Sequence, residues 1–152
     1  MKINFGEIVI EKAEPITVYD AAAEAGIISR AVIAAKVNGD LRALNFAIEG
    51  DADVQLLTFA DADGAHVFRH TASHILAQAV KRLYPDVKLT IGPAIESGFY
   101  YDFDSDVSFT PEILSAIESE MKKIVKENHK IERFELPRAE AIAFMTVKAE
   151  PY

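Results

Sequence analysis

The chain has 152 residues, room for one or two domains and too few for a multidomain enzyme. Its 50% hydrophobic and 26% charged residues are the balance of a globular chain and exclude wholesale disorder. No apolar run approaches the roughly 18 residues that a membrane-spanning helix needs. There are no cysteines, which excludes disulfides, thiolate metal sites and a cysteine nucleophile. The formal charge is −8 and uneven: residues 1–63 carry 5 basic and 11 acidic side chains, residues 64–152 carry 11 and 13. Phosphate backbones are held by Lys and Arg, so neither part reads as an autonomous high-affinity RNA binder. The opening MKINFGEIVIEK lacks a secretory core, and a cytoplasmic location away from membranes is expected.

In chain order, Ile3 and Phe5 alternate with polar residues and Ile8 to Ile10 follows after Gly6, predicting two short strands. Thr17, with Asp20 three residues on, opens a helix whose apolar positions are Val18, Ala21, Ala22 and Ala25, and Gly26 stops it. A strand over Val32 to Val37 meets Asn38-Gly39, the strongest short hairpin signal, and Leu41 to Phe46 returns. Asp53 to Phe59 is a last strand. The acidic, small-residue stretch from Asp61 to Gly64 reads as a turn and marks a boundary near residue 62.

Beyond it a helix is predicted from about Phe68 to Leu83, then strands over Val87 to Ile91 and Phe99 to Phe103. Alternation puts Phe99, Tyr101 and Phe103 on one face of the second strand. Thr110-Pro111 starts another helix, with Ile113, Leu114, Ile117, Met121, Ile124 and Val125 as its apolar face. A strand near Lys130 to Phe134 and a helix from Pro137 to Met145 follow, and the end at Glu150-Pro151-Tyr152 reads as a cut. Strands and helices in this order predict an α+β fold.

The chemistry is expected at His70-Thr-Ala-Ser-His74. Spacing of i, i+4 puts both imidazoles on one helical face, able to converge on a water, an ion or a hydroxyl. No Glu lies between them, which rules out the HExxH metalloprotease reading. A helical wheel gathers Ala72, Ile75, Leu76, Ala79, Val80 and Leu83 on the core side and His70, His74, Ala77, Gln78 and Lys81 opposite. His66 continues the ladder but falls before the predicted helix. Two incidental surface histidines and a functional pair in a cleft both fit this much.

The segments RHTASHILAQAVKRLYP (Arg69 to Pro85) and KLTIGPAIESGFYYDFD (Lys88 to Asp104) strongly resemble the start of the editing domain of bacterial-type threonyl-tRNA synthetases. TVYDAA (Thr17 to Ala22), AAKVNGDL (Ala34 to Leu41) and DADVQLLTF (Asp51 to Phe59) resemble that family's TGS module. The resemblance runs over essentially the whole chain in the family's order. Two departures are a missing Asp-Gly turn in the first hairpin and Ala43 where an acid is usual.

The resemblance implies a ubiquitin-like β-grasp module over residues 1–62 and an incomplete editing domain of the HxxxH type over 63–152. It implies the N-terminal part of an enzyme that attaches threonine to its tRNA, in the region that hydrolyses mischarged seryl-tRNA. His70 and His74 would be the catalytic half-site, with Gly92, Glu96 and Tyr101 lining the substrate pocket. The family's second half-site, a CxxxH, is missing. No cofactor is expected in this chain, and the His pair would be at most half of a metal site. ATP, magnesium and zinc belong to the family's ligase domain, which, with the anticodon-binding domain and the homodimer contacts, would lie past Tyr152. The partner implied is the acceptor end of threonine tRNA. A free-standing trans-editing hydrolase, an alanyl-type editing relative, a TGS-bearing nucleotide synthetase and a non-catalytic binding module are the competing readings.

Overall fold

The first residues form a strand because Ile3 and Phe5 alternate inward; Ile3 is fully buried in a computed structural model that describes residues 1–148. In order, the elements of the first part are β1 (Lys2–Phe5), β2 (Ile8–Glu11), β3 (Ile16–Thr17), α1 (Val18–Glu24), β4 (Val32–Val37), β5 (Asp40–Arg42), β6 (Ala47–Ile48) and β7 (Ala52–Thr58). Then come α2 (Ala62–Leu83), β8 (Lys88–Leu89), β9 (Ala94–Ile95), β10 (Gly98–Phe99), β11 (Phe103–Asp104), α3 (Pro111–Glu127) and α4 (Arg138–Val147). The architecture is α+β, and the chain divides into two compact units, Met1–Phe68 and Arg69–Tyr152.

In the first unit a five-stranded sheet runs β2-β1-β7-β4-β5. β1 and β7 are parallel and the other neighbours antiparallel, which makes the sheet mixed. Val18, Ala21 and Ala22 of α1 join Ile3, Phe5, Ala35, Val37, Ala52 and Val54 of the sheet in one core. The helix starts as the sequence predicts: the Thr17 hydroxyl oxygen accepts from the Asp20 N–H at 3.1 Å. It ends in a Schellman turn, with Ile27 N–H donating to the Ala22 carbonyl and Gly26 at φ +73°. The Asn38-Gly39 hairpin forms with both residues at positive φ, 51° and 88°. The returning strand stops at Arg42, however, rather than reaching Phe46. Leu44 and Phe46 carbonyls instead accept the Tyr19 and Val18 N–H groups, and Ala47–Ile48 pairs with β3.

β4 carries a one-residue irregularity: Val32 faces Thr58 and Ala34 faces Leu57, leaving Ile33 without a partner. Ala34 and Leu57 thus face away from Ala35 and the α1 core, yet both are buried. On the Ala34 face, Lys36 pairs with Asp63 of α2 at 2.5 Å.

α2 begins six residues before the predicted start. The stretch expected as a turn is its opening: Asp61 holds the N-cap position, and its carbonyl accepts the Ala65 N–H at 2.8 Å. Acidic residues suit the positive end of a helix, and the Asp61 carboxylate, accepting both the Thr58 N–H and hydroxyl, is held below the ordinary carboxylate range.

In the second unit Ala79, Val80, Val87, Ile117 and Ile124 form a core, with Ile75, Leu76, Phe103 and Met121 against it. α3 has its Thr110 cap and Pro111 start, but Leu114 and Val125 of its expected apolar face are exposed. No strand forms at 130–134 among the described residues, and those positions are exposed. α4 runs Arg138–Val147, two residues past the expected Met145, without a buried side chain. The Glu150-Pro151-Tyr152 end lies outside the described residues.

The helix pair α2–α3 is tied by Arg82, which donates to Glu127 through two bonds of 2.7 Å and to Glu120 at 3.3 Å. Arg82 and then His129 hold the Glu127 carboxyl at about 2. A carboxylate whose folded value is depressed stabilises above its unfolded pKa and loses that contribution as pH falls through the folded one. Thermal stability is therefore expected to drop between pH 4.5 and about 2. Glu127→Gln should flatten that part of a Tm-against-pH curve; an unchanged slope would discount this tie.

Candidate functional site

The candidate site is built on the middle of α2 and the chain from Thr90 to Asp102. His70 and His74, one helical turn apart, have Nε2 atoms 3.0 Å apart and rings at 87°. Two imidazole nitrogens at that distance must be one donor and one acceptor, so at least one ring is neutral. Both side chains are exposed, on the side the helical wheel assigns them. His66 is also exposed, but lies within α2 rather than before it.

Partial burial first, and then the neighbouring His70, push the His74 pKa below its ordinary 6.5. The shift favours the neutral form of His74, the form that can accept a proton. Its neutral form is favoured by folding, so this contribution is complete above 6.5 and is lost as pH falls through 6.5 to the lower folded value. An NMR titration should place the His74 midpoint below 6.5. His70→Ala should raise that midpoint without restoring the ordinary value, because burial, the larger cause, remains. A midpoint at or above the ordinary value in the unmodified chain would contradict this account.

The segment that meets α2 at Ser73 is held by two short ladders. β8 pairs with β11, and Thr90 N–H donates to the Asp102 carbonyl while Asp102 N–H donates to that of Ile91 at 2.8 Å. These bonds put Gly92 beside Tyr101. A Cβ on Gly92 would stand 2.1 Å from Cδ2 of the Tyr101 ring, so the ring occupies the space that any other residue's side chain would need. Tyr101 stacks on Phe103 with centroids 4.8 Å apart. The predicted Phe99–Phe103 strand is broken: Phe99 pairs in the β9–β10 hairpin and Phe103 in β11, with Tyr100 to Asp102 between. The Tyr101 and Phe103 contact survives the break.

Ser73 joins the two parts. Its side chain is fully buried, and its hydroxyl lies 2.8 Å from the His70 carbonyl and 3.0 Å from that of Gly92, donating to both in share. The helical wheel leaves Ser73 out and puts Ala77 with the histidines. Ala77 is in fact buried, one turn beyond Ser73, so the helix has a second buried stripe of small residues. The small side chains at 73 and 77, four apart, are the sequence signal that could have shown it. Glu96 is elsewhere: it sits exposed in the turn between β9 and β10.

Two nitrogens fall short of the three protein ligands of a catalytic zinc site. Among the described residues no cluster of three His, Cys, Asp or Glu side chains is placed to hold a metal. What the geometry offers is a hydrogen-bonded pair of imidazoles on a helix that Ser73 ties to the Gly92–Tyr101 segment.

No protein-family model matches the chain. It is 57% identical over 150 residues to a threonine–tRNA ligase of Clostridium kluyveri, covering 98% of the chain and 23% of that protein. To that of Acetivibrio thermocellus it is 56% identical over 144 residues, 93% of the chain and 22% of the relative. To that of Clostridium acetobutylicum it is 61% identical over 120 residues, 79% of the chain and 19% of the relative. The chain thus spans about 23% of the length of the first of these curated proteins, and by sequence it is a relative of the threonine–tRNA ligases.

Proposed function

We propose that the chain serves a threonine–tRNA ligase as a β-grasp TGS module, residues 1–62, followed by part of an editing domain, residues 63–152. The observation that carries this reading is the paired imidazoles at 3.0 Å in a segment so similar to those ligases. The parent activity would be cytoplasmic, ATP- and magnesium-dependent threonylation by a homodimer. Its ATP site, zinc and dimer contacts would come from sequence outside the stretch matched here.

The need for editing is physical. Serine differs from threonine by one methyl, worth only about 1–3 kcal/mol of discrimination, so a second site must hydrolyse the smaller product. In that reaction a water oxygen bonds to the seryl carbonyl carbon and the ester C–O bond breaks. The water's proton ends on the ribose oxygen, giving serine and free tRNA. His74, whose neutral form is favoured, orients the water and takes its proton; His70, hydrogen-bonded to it, holds the ring in place and returns a proton to the leaving oxygen. Gly92 and Tyr101 provide the wall against which the acceptor end lies; Glu96, in the β9–β10 turn, takes no part in it.

The test uses the full-length protein that carries this sequence. His70→Ala or His74→Ala is expected to slow seryl-tRNA hydrolysis about 10²–10⁴-fold, the contribution of a positioned acid–base group, while leaving threonylation unchanged. Hydrolysis at the unmodified rate in both variants would overturn the reading in favour of a non-catalytic binding module. The 152-residue chain itself, with two imidazoles and one wall, is expected to hydrolyse seryl-tRNA far more slowly.

A further inference from the structure

We propose that Ser73 is a positioning residue for the His70–His74 pair: its buried hydroxyl, held between the carbonyls of His70 and Gly92, sets the roll of α2 and so the place of both imidazoles against the Gly92–Tyr101 wall. The inference deepens the hydrolytic reading of that pair and rests on it.

Serine is a poor residue for a helix interior, where its hydroxyl competes with the backbone or turns to water. Ser73 does neither alone. It is fully buried midway along a 22-residue helix that has alanines nearby at 72, 77 and 79. Alanine would fill the position with better helix propensity. What serine adds is the bond to a carbonyl 19 residues away.

That acceptor cannot drift freely. Gly92 lies directly under the Tyr101 ring, which stacks on Phe103, and Phe103 in turn lies 5.5 Å from Phe109. Gly92 thus packs on one ring of a linked aromatic series, which restrains its carbonyl. Ser73 sits one residue before His74 and three after His70, so at about 100° per residue it flanks both around the helix. A tie there restrains rotation of α2 where rotation would most displace the imidazoles. Displacements of about 1 Å are enough to cost about 10²-fold in a positioned reaction.

The nitrogen signals of the two histidines give a readout that simple destabilisation would not move. In the 152-residue chain with ¹⁵N-labelled histidine, near pH 7.5, one ring is expected to show a protonated Nε2 and the other a bare one, as the 3.0 Å contact requires. Ser73→Ala should keep a dispersed amide spectrum while the two rings' nitrogen signals converge, because the pair has opened. Ser73→Thr, which retains the hydroxyl, should restore the unequal pattern. An unequal pattern retained in Ser73→Ala, whatever its Tm, would overturn the proposal. Should Ser73→Ala fail to fold, the unmodified chain decides. A slowly exchanging Ser73 hydroxyl proton with a nuclear Overhauser contact to Gly92 supports the tie, and a freely exchanging one overturns it. If the patterns behave as expected but His70→Ala leaves seryl-tRNA hydrolysis untouched, the hydrolytic reading fails and the Ser73 tie stands.

Discussion

Gly64→Ala is expected to destabilise the first unit by about 3 kcal/mol, the upper part of the overpacking range, and to lower its Tm by on the order of 15 °C. The sign is the reverse of the usual one. An alanine replacing glycine inside a helix normally gains about 1 kcal/mol from propensity and reduced chain entropy. Gly64 lies in the first turn of α2, where an added Cβ would stand 2.0 Å from the Thr58 carbonyl oxygen and 2.8 Å from its carbon. Both obstacles are backbone, and that same oxygen accepts the Asp61 N–H in the turn joining β7 to the helix. Neither side can yield without breaking the Thr58–Asp61 cluster of hydrogen bonds. Gly50→Ala is the matched control: it has open space and no left-handed φ, and should move stability by less than about 0.5 kcal/mol. Equal Tm values for the two variants, read by thermal unfolding, would show that the α2 opening is softer than described.

The second large effect is expected at the site. Gly92→Ala should cost about 2 kcal/mol, because the Tyr101 ring must leave its stack on Phe103 to admit the methyl group. Here the obstacle is a side chain, which makes the cost removable. In a Tyr101→Ala background the same substitution should become nearly neutral. A double-mutant cycle should then give a coupling of about 1–2 kcal/mol between the two positions. Additive effects would mean the contact is not what demands glycine at 92. In the full-length protein, Gly92→Ala should also slow seryl-tRNA hydrolysis, since the Gly92 carbonyl that Ser73 meets shifts as the ring is displaced.

These two glycines show where the sequence was readable and where it was not. Gly26 and Gly39 announce themselves, because helix stops and hairpin turns are local matters of backbone conformation. Thr17, Asp20, Thr110 and Pro111 are equally local, and the elements they open stand where their pattern puts them. Gly64 and Gly92 are glycines for lack of space, and the neighbours that fill the space are six and nine residues away. Acids and glycine from Asp61 to Gly64 have the composition of a turn; only the packing of Gly64 on Thr58 and the Lys36–Asp63 pair make a helix of them.

The same distinction applies to the candidate site. The i, i+4 spacing of His70 and His74 follows from helix geometry alone, whereas the buried role of Ser73 depends on a loop 19 residues further on. Phe99 to Phe103 has the alternation of one strand, but Thr90 and Ile91 take the backbone of Asp102 while Ala94 and Ile95 take that of Gly98 and Phe99. The partners decide the break. Lys130 to Phe134 has strand-like residues and no neighbouring strand to pair with among the described residues.

The position of β2 at the margin of the five-stranded sheet has a colloidal consequence. Among the described residues no strand pairs with its outer side, and its Ile8 and Val9 are exposed, 40% and 54% respectively. Such a margin is a template on which a second molecule can add a strand. Glu7 and Glu11 bracket the apolar triplet, and the −8 charge keeps molecules apart at neutral pH. Near the sequence pI of about 5.0 that repulsion vanishes while the margin remains. Concentrated solutions are therefore best kept well above it, where the acids around a short, sticky strand act as its solubilising guard.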